Sequence, residues 1–314
     1  MTNYKNPVVW QIAALHLDNK TLFTGVILHK VPYSLNKKPG SFRNLLKVIS
    51  SYFVKSYDNK EISISVNGQT TNTTTDKDGS FRVLMDGLQY GEIKIHISNH
   101  TEALKITQDY PIIHENTNSP FDIISDIDDT IIVSHIKNFF KRVVTVAFKT
   151  PNEREVIGFS KKMFEVLKKR KARIFYVSKS ESNLFWMLIE FIKFNKLPEG
   201  VLFLTPHLNL FQLLNPNKDI NFKIDNIRLI IKNTADKKYV LFGDDGQLDI
   251  QIYSEIARSF PHRILKIYIR QTHPKISAHQ KQMMDDLVST GVPVKYFKSN
   301  DRLEISDELI QLKS

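Results

Sequence analysis

Two rhythms divide the chain. In its first part apolar and polar positions alternate over short runs, and Thr21 to Leu28, Glu61 to Val66, Ser80 to Met85 and Glu92 to Ile97 each read as a strand. Asn67-Gly68, Asp78-Gly79 and Asp86-Gly87 fall between these runs as turn dipeptides. Ser41 to Val54 interrupts them with apolar residues at helical spacing. The pattern predicts a mainly antiparallel β-sandwich over residues 1–118. Asp76 and Asp78 lie in one of its turns, where two acids serve a tight loop far more readily than a calcium ion, which needs six or more oxygens.

From about Phe121 the rhythm changes to buried apolar strands, each followed by an amphipathic helix. FDIISD precedes a helix near 159–170; RIFYVS precedes Leu184 to Phe194; GVLFLT precedes a helix around Ile224 to Ile231. KYVLFGD is then followed by Ile250 to Ser259 and by ILKIYI. Strand-helix alternation with apolar strands predicts an α/β fold, a Rossmann-like parallel sheet covered on both faces, over residues 119–314. Thr117-Asn118-Ser119-Pro120 reads as the link between the two parts. In such a sheet a ligand sits beyond the carboxyl ends of the strands, so the polar residues ending them draw attention: Asp126, Asp128, Ser178 and Asp244.

Composition narrows the classes. The 314 residues are 41% hydrophobic, enough for a sizeable core, and contain no cysteine, which excludes disulfides, a thiol nucleophile and cysteine-based zinc sites. No apolar run approaches the ~20 residues that cross a bilayer, and the N-terminus lacks a basic-then-apolar leader layout, so a cytoplasmic protein is expected. The net charge is +11, of which residues 1–118 supply 13 basic against 10 acidic side chains and the remainder 31 against 23. Most of the excess therefore lies in the α/β part, densest from Lys161 to Arg173, where it forms the outer face of an amphipathic helix. Aromatic residues are not interleaved with it, so no nucleic-acid partner is expected.

The strand ends support phosphoryl transfer. In Ser125-Asp126-Ile127-Asp128-Asp129-Thr130 an aspartate at the end of a buried strand can attack phosphorus, and a carboxyl two residues on can protonate the leaving oxygen and later deprotonate water. Asp126 is thus the candidate nucleophile and Asp128 the candidate acid/base. The transferring group concentrates negative charge suited to Mg2+, which takes oxygen ligands; Asp126 and the Asp128 carbonyl offer two, and Asp244 and Asp249 of GDDGQLD offer carboxylates. Ser178 and Lys223 are the candidate hydroxyl and cation for the phosphoryl oxygens, with Lys218 a rival for the second place. Taken singly, Asp128-Asp129 and Asp244-Asp245 read equally as caps or turn residues. Their order, acid pair, hydroxyl, lysine, acid pair, favours a site.

That ordered set resembles the haloacid dehalogenase superfamily. More narrowly, SDIDDTI, YVSxS, the lysine, FGDxGxxD and a closing YIR resemble the catalytic domain of the phosphatidate phosphatases typified by a yeast actin-patch protein, over about Phe121 to Arg270. The resemblance implies Asp126 as nucleophile and metal ligand, Asp128 as acid/base and metal ligand, Ser178 and Lys223 at the phosphate, and Asp244 with Asp249 at Mg2+. Three departures stand out: Lys179-Ser180-Glu181 follows the second motif where Asn-Ser-Pro is usual, Asp245 replaces a small polar residue, and Gln271 follows YIR in place of aspartate.

Fewer than fifty residues separate Thr130 from the second motif, so only a small cap is expected, leaving an open site that suits a bulky substrate. The insertion 131–158 mixes Ile136, Phe139, Phe140 and Val143 with Lys137, Lys141 and Arg142, a texture fit either for packing or for peripheral contact with an anionic membrane. The expected activity is Mg-dependent hydrolysis of phosphatidate or a related lipid phosphate. The rivals are a phosphatase of soluble monoesters or phosphoproteins and a non-catalytic membrane- or protein-binding adaptor. Oligomeric state is left open.

Overall fold

The computed structural model describes residues 6–32, 48–98, 100–127, 130, 158–209, 221–246, 248–272 and 275–298. The first part is two facing β-sheets. One holds β1 (Val8–His16), β2 (Lys20–Leu28) and β5 (Ser80–Asp86), with the short β7 (Lys105–Ile106) and β8 (Ile113–His114) both pairing parallel to β1. The other is an antiparallel trio of β3 (Glu61–Val66), β4 (Gln69–Thr74) and β6 (Ile93–Ile97). Val9, Ile12, Ala14, Phe23 and Ile27 on one sheet meet Ile62, Ile64, Ile93 and Ile95 on the other, giving the predicted sandwich.

All nine residues of β1 are buried. Its second face explains this: Trp10, Ala13 and Leu15 belong to the cores of the α/β part. A strand buried on both faces has no alternation to read, and the sequence pattern accordingly gives no strand there. β4 escapes for the opposite reason, being wholly polar (QTTNTT) and held by its hairpin with β3 through the Asn67-Gly68 turn. Of the helix-like run 41–54, residues 48–51 are helical, while 33–47 lie outside the described residues. Asp76 and Asp78 are turn residues: the Ser80 hydroxyl and amide donate to them, and Gly79 takes a φ of 75° at a point where a Cβ would lie 2.4 Å from the Ile27 carbonyl.

The α/β part is one parallel sheet of β9 (Phe121–Ser125), β10 (Ile174–Glu181), β11 (Val201–Thr205), β12 (Lys238–Asp244), β13 (Ile264–Arg270) and β14 (Val294–Phe297). The spatial order is β11-β10-β9-β12-β13-β14, which is 3-2-1-4-5-6 in the order of these strands along the chain. Successive strand residues face opposite ways. Ile123, Val240 and Phe242 pack with α1 (Gly158–Lys169) and α2 (Phe185–Phe194), whereas Ile124, Leu241 and Ile267 pack with α3 (Asn221–Lys232), α4 (Asp249–Ser259) and α5 (Ala278–Val288). With each fully buried Ile, Leu or Phe contributing roughly 1.5–3 kcal/mol, these two layers are the main stabilising mass of the chain. The order reverses between β9 and β12, the switch point at which such sheets open a crevice.

Candidate active site

Asp126 follows the last residue of β9, and its amide donates to the Phe242 carbonyl of β12 at 2.9 Å. Asp244 ends β12, Asp249 begins α4, and Lys223 is the third residue of α3. Four separate elements thus bring four charged side chains to the switch point. All four are buried, each at most 1% exposed. The carboxylates of Asp126, Asp244 and Asp249 lie within 4.8 Å of one another. Lys223 Nζ sits 2.9 Å from Asp126 Oδ1 and 2.6 Å from Asp249 Oδ1.

The local backbone makes this approach possible. A Cβ on Gly243 would lie 2.7 Å from the Tyr253 ring and 2.8 Å from Asp249, so only glycine lets α4 come close enough to β12. The Asp244 amide then donates to Asp249 Oδ2 at 3.3 Å, and Gly246 N donates to Asp244 Oδ1 at 2.6 Å. Tyr253 OH donates to the Phe242 carbonyl at 2.7 Å, the same oxygen that holds the Asp126 amide. Burial pushes this phenol's pKa well up, and Asp249, Asp126 and Asp244 push it the same way, so it stays a donor.

Electrostatics set the protonation of the lysine. Burial alone pulls its ammonium down, but Asp126 and Asp249 together outweigh that and hold it above the ordinary lysine range. Lys223 balances one of three buried negative charges. Arg270 is buried and stands opposite Asp244 in the β12–β13 register, and among the described residues the three carboxylates still outnumber these two basic side chains. An all-oxygen, net-negative, buried donor set fits a hard divalent cation such as Mg2+.

Ser178 lies inside β10, not at its end. Register runs from Val177 opposite Phe203 to Glu181 opposite Thr205, so β10 has two more residues than β11 here and Ser178-Lys179-Ser180 bulges from the ladder. Ser180 N donates to Ser178 Oγ at 3.0 Å and Thr205 Oγ1 to the Lys179 carbonyl at 3.2 Å. Because Tyr176 pairs with Ser125, Ser178 stands level with Ile127, one residue past Asp126. Asp128 and the rival Lys218 lie outside the described residues, as does the insertion 131–157.

Asp245 faces elsewhere. Its Oδ1 accepts from Thr272 N at 2.7 Å and Thr272 Oγ1 at 2.5 Å, its Oδ2 accepts from Tyr296 OH, and its carbonyl accepts from Gln280 Nε2 at 3.0 Å. Of the adjacent acids one therefore joins the carboxylate cluster and the other ties the loop to β14 and α5. Tyr253, Thr272 and Tyr296 are the supporting residues that the motifs leave unmarked. Tyr253 sits four residues after Asp249, one helical turn away, and that spacing is the only sequence trace of its place.

A doubly covered parallel sheet with an aspartate-lysine cluster at its switch point defines an α/β protein with a buried acidic site. Residues 121–271 match the family model described as phosphatidate phosphatase APP1, catalytic domain, so the resemblance read from the motifs holds over this stretch. The chain is 30% identical over 239 residues, 68% of its length, to phosphatidate phosphatase APP1 of Saccharomyces cerevisiae, and covers 37% of that protein. It is 32% identical over 162 residues, 51% of its length, to an uncharacterised protein of Schizosaccharomyces pombe, covering 26% of it. The chain thus spans about a third of the length of the curated relatives it matches. Among solved structures, a chain of a Pnkp1/Rnl/Hen1 complex aligns over 52% of this chain and 51% of its own at 13% identity, with a TM-score of 0.35.

Proposed function

We propose that the chain is a phosphoric monoester hydrolase that removes phosphate from phosphatidate or a related lipid phosphate, with Mg2+ as cofactor and Asp126 as nucleophile. What supports this most is the buried trio of carboxylates around Lys223 at the switch point, together with the match of residues 121–271 to a phosphatidate phosphatase catalytic domain. The Lys223 ammonium lies 2.9 Å from Asp126, a placement that suits the ionised carboxylate that attack on phosphorus requires. The attack forms a P–O bond to Asp126 and breaks the bond to the alcohol oxygen, which takes a proton from Asp128. Asp128 then withdraws a proton from water as it displaces Asp126 from phosphorus.

Asp126, the Asp128 carbonyl, Asp244 and Asp249 are the residues that would hold Mg2+. Bound there, the cation supplies positive charge to the phosphoryl oxygens. Lys223 adds a second charge whose position is fixed from two sides, and Ser178 offers a hydroxyl from the β10 bulge. No helix among the described residues is long and apolar enough to cross a membrane, and we place the protein in the cytoplasm, meeting lipid at the bilayer surface.

The test is Mg2+-dependent phosphate release from phosphatidate vesicles compared with soluble monoesters. Faster turnover on vesicles is expected. Equal or better turnover on soluble monoesters removes the lipid reading, and no turnover on either removes the phosphatase.

A further inference from the structure

The peptide group between Asp245 and Gly246 is held at both ends. Its N–H donates to Asp244 Oδ1 at 2.6 Å, and its carbonyl accepts from Gln280 Nε2 at 3.0 Å. Gln280, the third residue of α5, is itself held by the residue before that helix. Its Oε1 accepts from the Ser277 amide at 2.9 Å and from the Ser277 hydroxyl at 3.0 Å, while its own amide donates to Ser277 Oγ at 3.1 Å. These bonds are the capping box of α5. The partners fix which way round the side-chain amide lies, because a backbone N–H can only donate and a carbonyl can only accept. One side chain therefore caps a helix with its oxygen and holds the 245–246 peptide with its nitrogen.

We propose that Gln280 is a positioning residue of the metal site, turning the 245–246 peptide so that its N–H holds the Asp244 carboxylate in place beside Asp126 and Asp249. The inference rests on the reading of Asp244 as a Mg2+ ligand. The rest of Asp245 is tied to the sheet: its amide donates to the Arg270 carbonyl at 3.0 Å, and its carboxylate accepts from Thr272 and Tyr296. The peptide that follows leads into a glycine, where rotation meets little steric resistance. The bond from Gln280 favours the orientation in which the N–H faces Asp244. With Oδ1 tied in this way the carboxylate is restrained about its side-chain bonds, within 4.8 Å of the other two acids. A ligand oriented before the metal arrives binds it more tightly, and partners that orient ligands are typically worth 10–100-fold in metal affinity. Gln280 acts through Asp245 and Gly246, so α5 contributes to the site from outside the acidic cluster.

The test uses the full chain without substrate, titrating Mg2+ calorimetrically well below each variant's melting temperature, with metal-free melting recorded beside it. Gln280→Glu keeps an oxygen for Ser277, since glutamate serves the same place in a capping box, and removes the NH2 donor. Its added negative charge would by itself draw Mg2+ in, so weaker binding cannot come from charge. Gln280→Met, of similar length, removes both contacts and adds no charge. Both variants are expected to raise the Mg2+ dissociation constant about tenfold. Ser277→Ala weakens the cap but keeps the Ser277 amide on Oε1, and it is expected to lower the melting temperature with Mg2+ affinity retained. A tenfold loss of affinity there too would assign the effect to loosening of α5 and overturn the proposal. So would either Gln280 variant binding Mg2+ like the unaltered chain, the result of a merely structural role, whatever happens to melting. Asp244→Asn is the reference: if it binds Mg2+ like the unaltered chain, or the unaltered chain binds none, the metal role of Asp244 fails and the proposal with it; if it alone weakens binding, only the role of Gln280 fails.

Discussion

Strand β9 carries a buried aspartate at each end, and the two are treated in opposite ways. Asp122, near its start, is fully matched: Arg173 N donates to Oδ1 at 2.9 Å, and Arg173 Nε and Nη2 donate to Oδ2 at 3.0 and 2.7 Å. The remaining guanidinium nitrogen, Nη1, reaches the His16 carbonyl of β1 at 2.6 Å. One acid meets one base, and every arm is used. Asp126, just past the other end, shares Lys223 with Asp249 and lies within 4.8 Å of Asp244, so among the described residues three acids gather about one lysine. Matched buried charges are at rest and hold elements together. A cluster of three carboxylates about one lysine suits a cation instead.

The contrast predicts that the two aspartates fail differently. Asp126→Asn should lower turnover of a phosphomonoester at least ~10³-fold while thermal unfolding moves little. Asp122→Ala leaves Arg173 buried without its partner and should cost ~3–5 kcal/mol of unfolding free energy, read by denaturant titration, with turnover per folded molecule retained. The comparison breaks if Asp122→Ala stops catalysis in folded protein. Lys223→Met should slow turnover ~10²–10³-fold, the range for removing one fixed charge or donor from a transition state. A smaller effect separates the ends by ligand: at a hundredfold excess over its dissociation constant Mg2+ should stabilise the chain by about 2.7 kcal/mol, and Asp244→Asn or Asp249→Asn should abolish that gain in a melting experiment.

The smallest expected effect is one of pH. The ammonium of Lys223 is held above its ordinary value by Asp126 and Asp249 against the pull of burial, so its folded-state pKa exceeds its unfolded one. Its contribution to stability is then complete below the ordinary lysine pKa and lost only as pH rises through the raised folded value. A pH–rate profile should therefore show no step from Lys223 between neutral pH and about 10. A step there would mean that the carboxylates do not grip Lys223 as described.

Much of this was legible in the chain because two periodicities differ. Strands β9 to β13 and helices α1 to α4 lie where apolar runs and helical spacing put them, within a few residues at each end, since strands buried on both faces and amphipathic helices leave strong patterns. Lys223 lies in the first turn of its helix, as its third residue. The β1 strand, β4, α5 and β14 left weaker traces: β1 is buried twice over, β4 is polar throughout, and α5 buries little beyond Leu287. In the site, the acids announced themselves by order and spacing. Asp244 was singled out over Asp245 as the polar end of its strand, while the bonds of Asp245 to Thr272 and Tyr296 could not be read, because they depend on which way the strand end turns. Nor could the hydrogen bonds of Trp10 and Gln11 with Ser182, since contacts across 170 residues of chain have no local sequence signature.

The central claim is that Asp126, at the carboxyl end of β9, is a nucleophile. It is tested most directly by quenching the Mg2+-supported reaction on a phosphomonoester with borohydride, which reduces an acyl phosphate to an alcohol, and mapping the modified residue by mass spectrometry. The account predicts substrate-dependent reduction at Asp126 and none at Asp122, Asp244 or Asp249. Reduction at another carboxylate, or unchanged hydrolysis by Asp126→Asn, would contradict it.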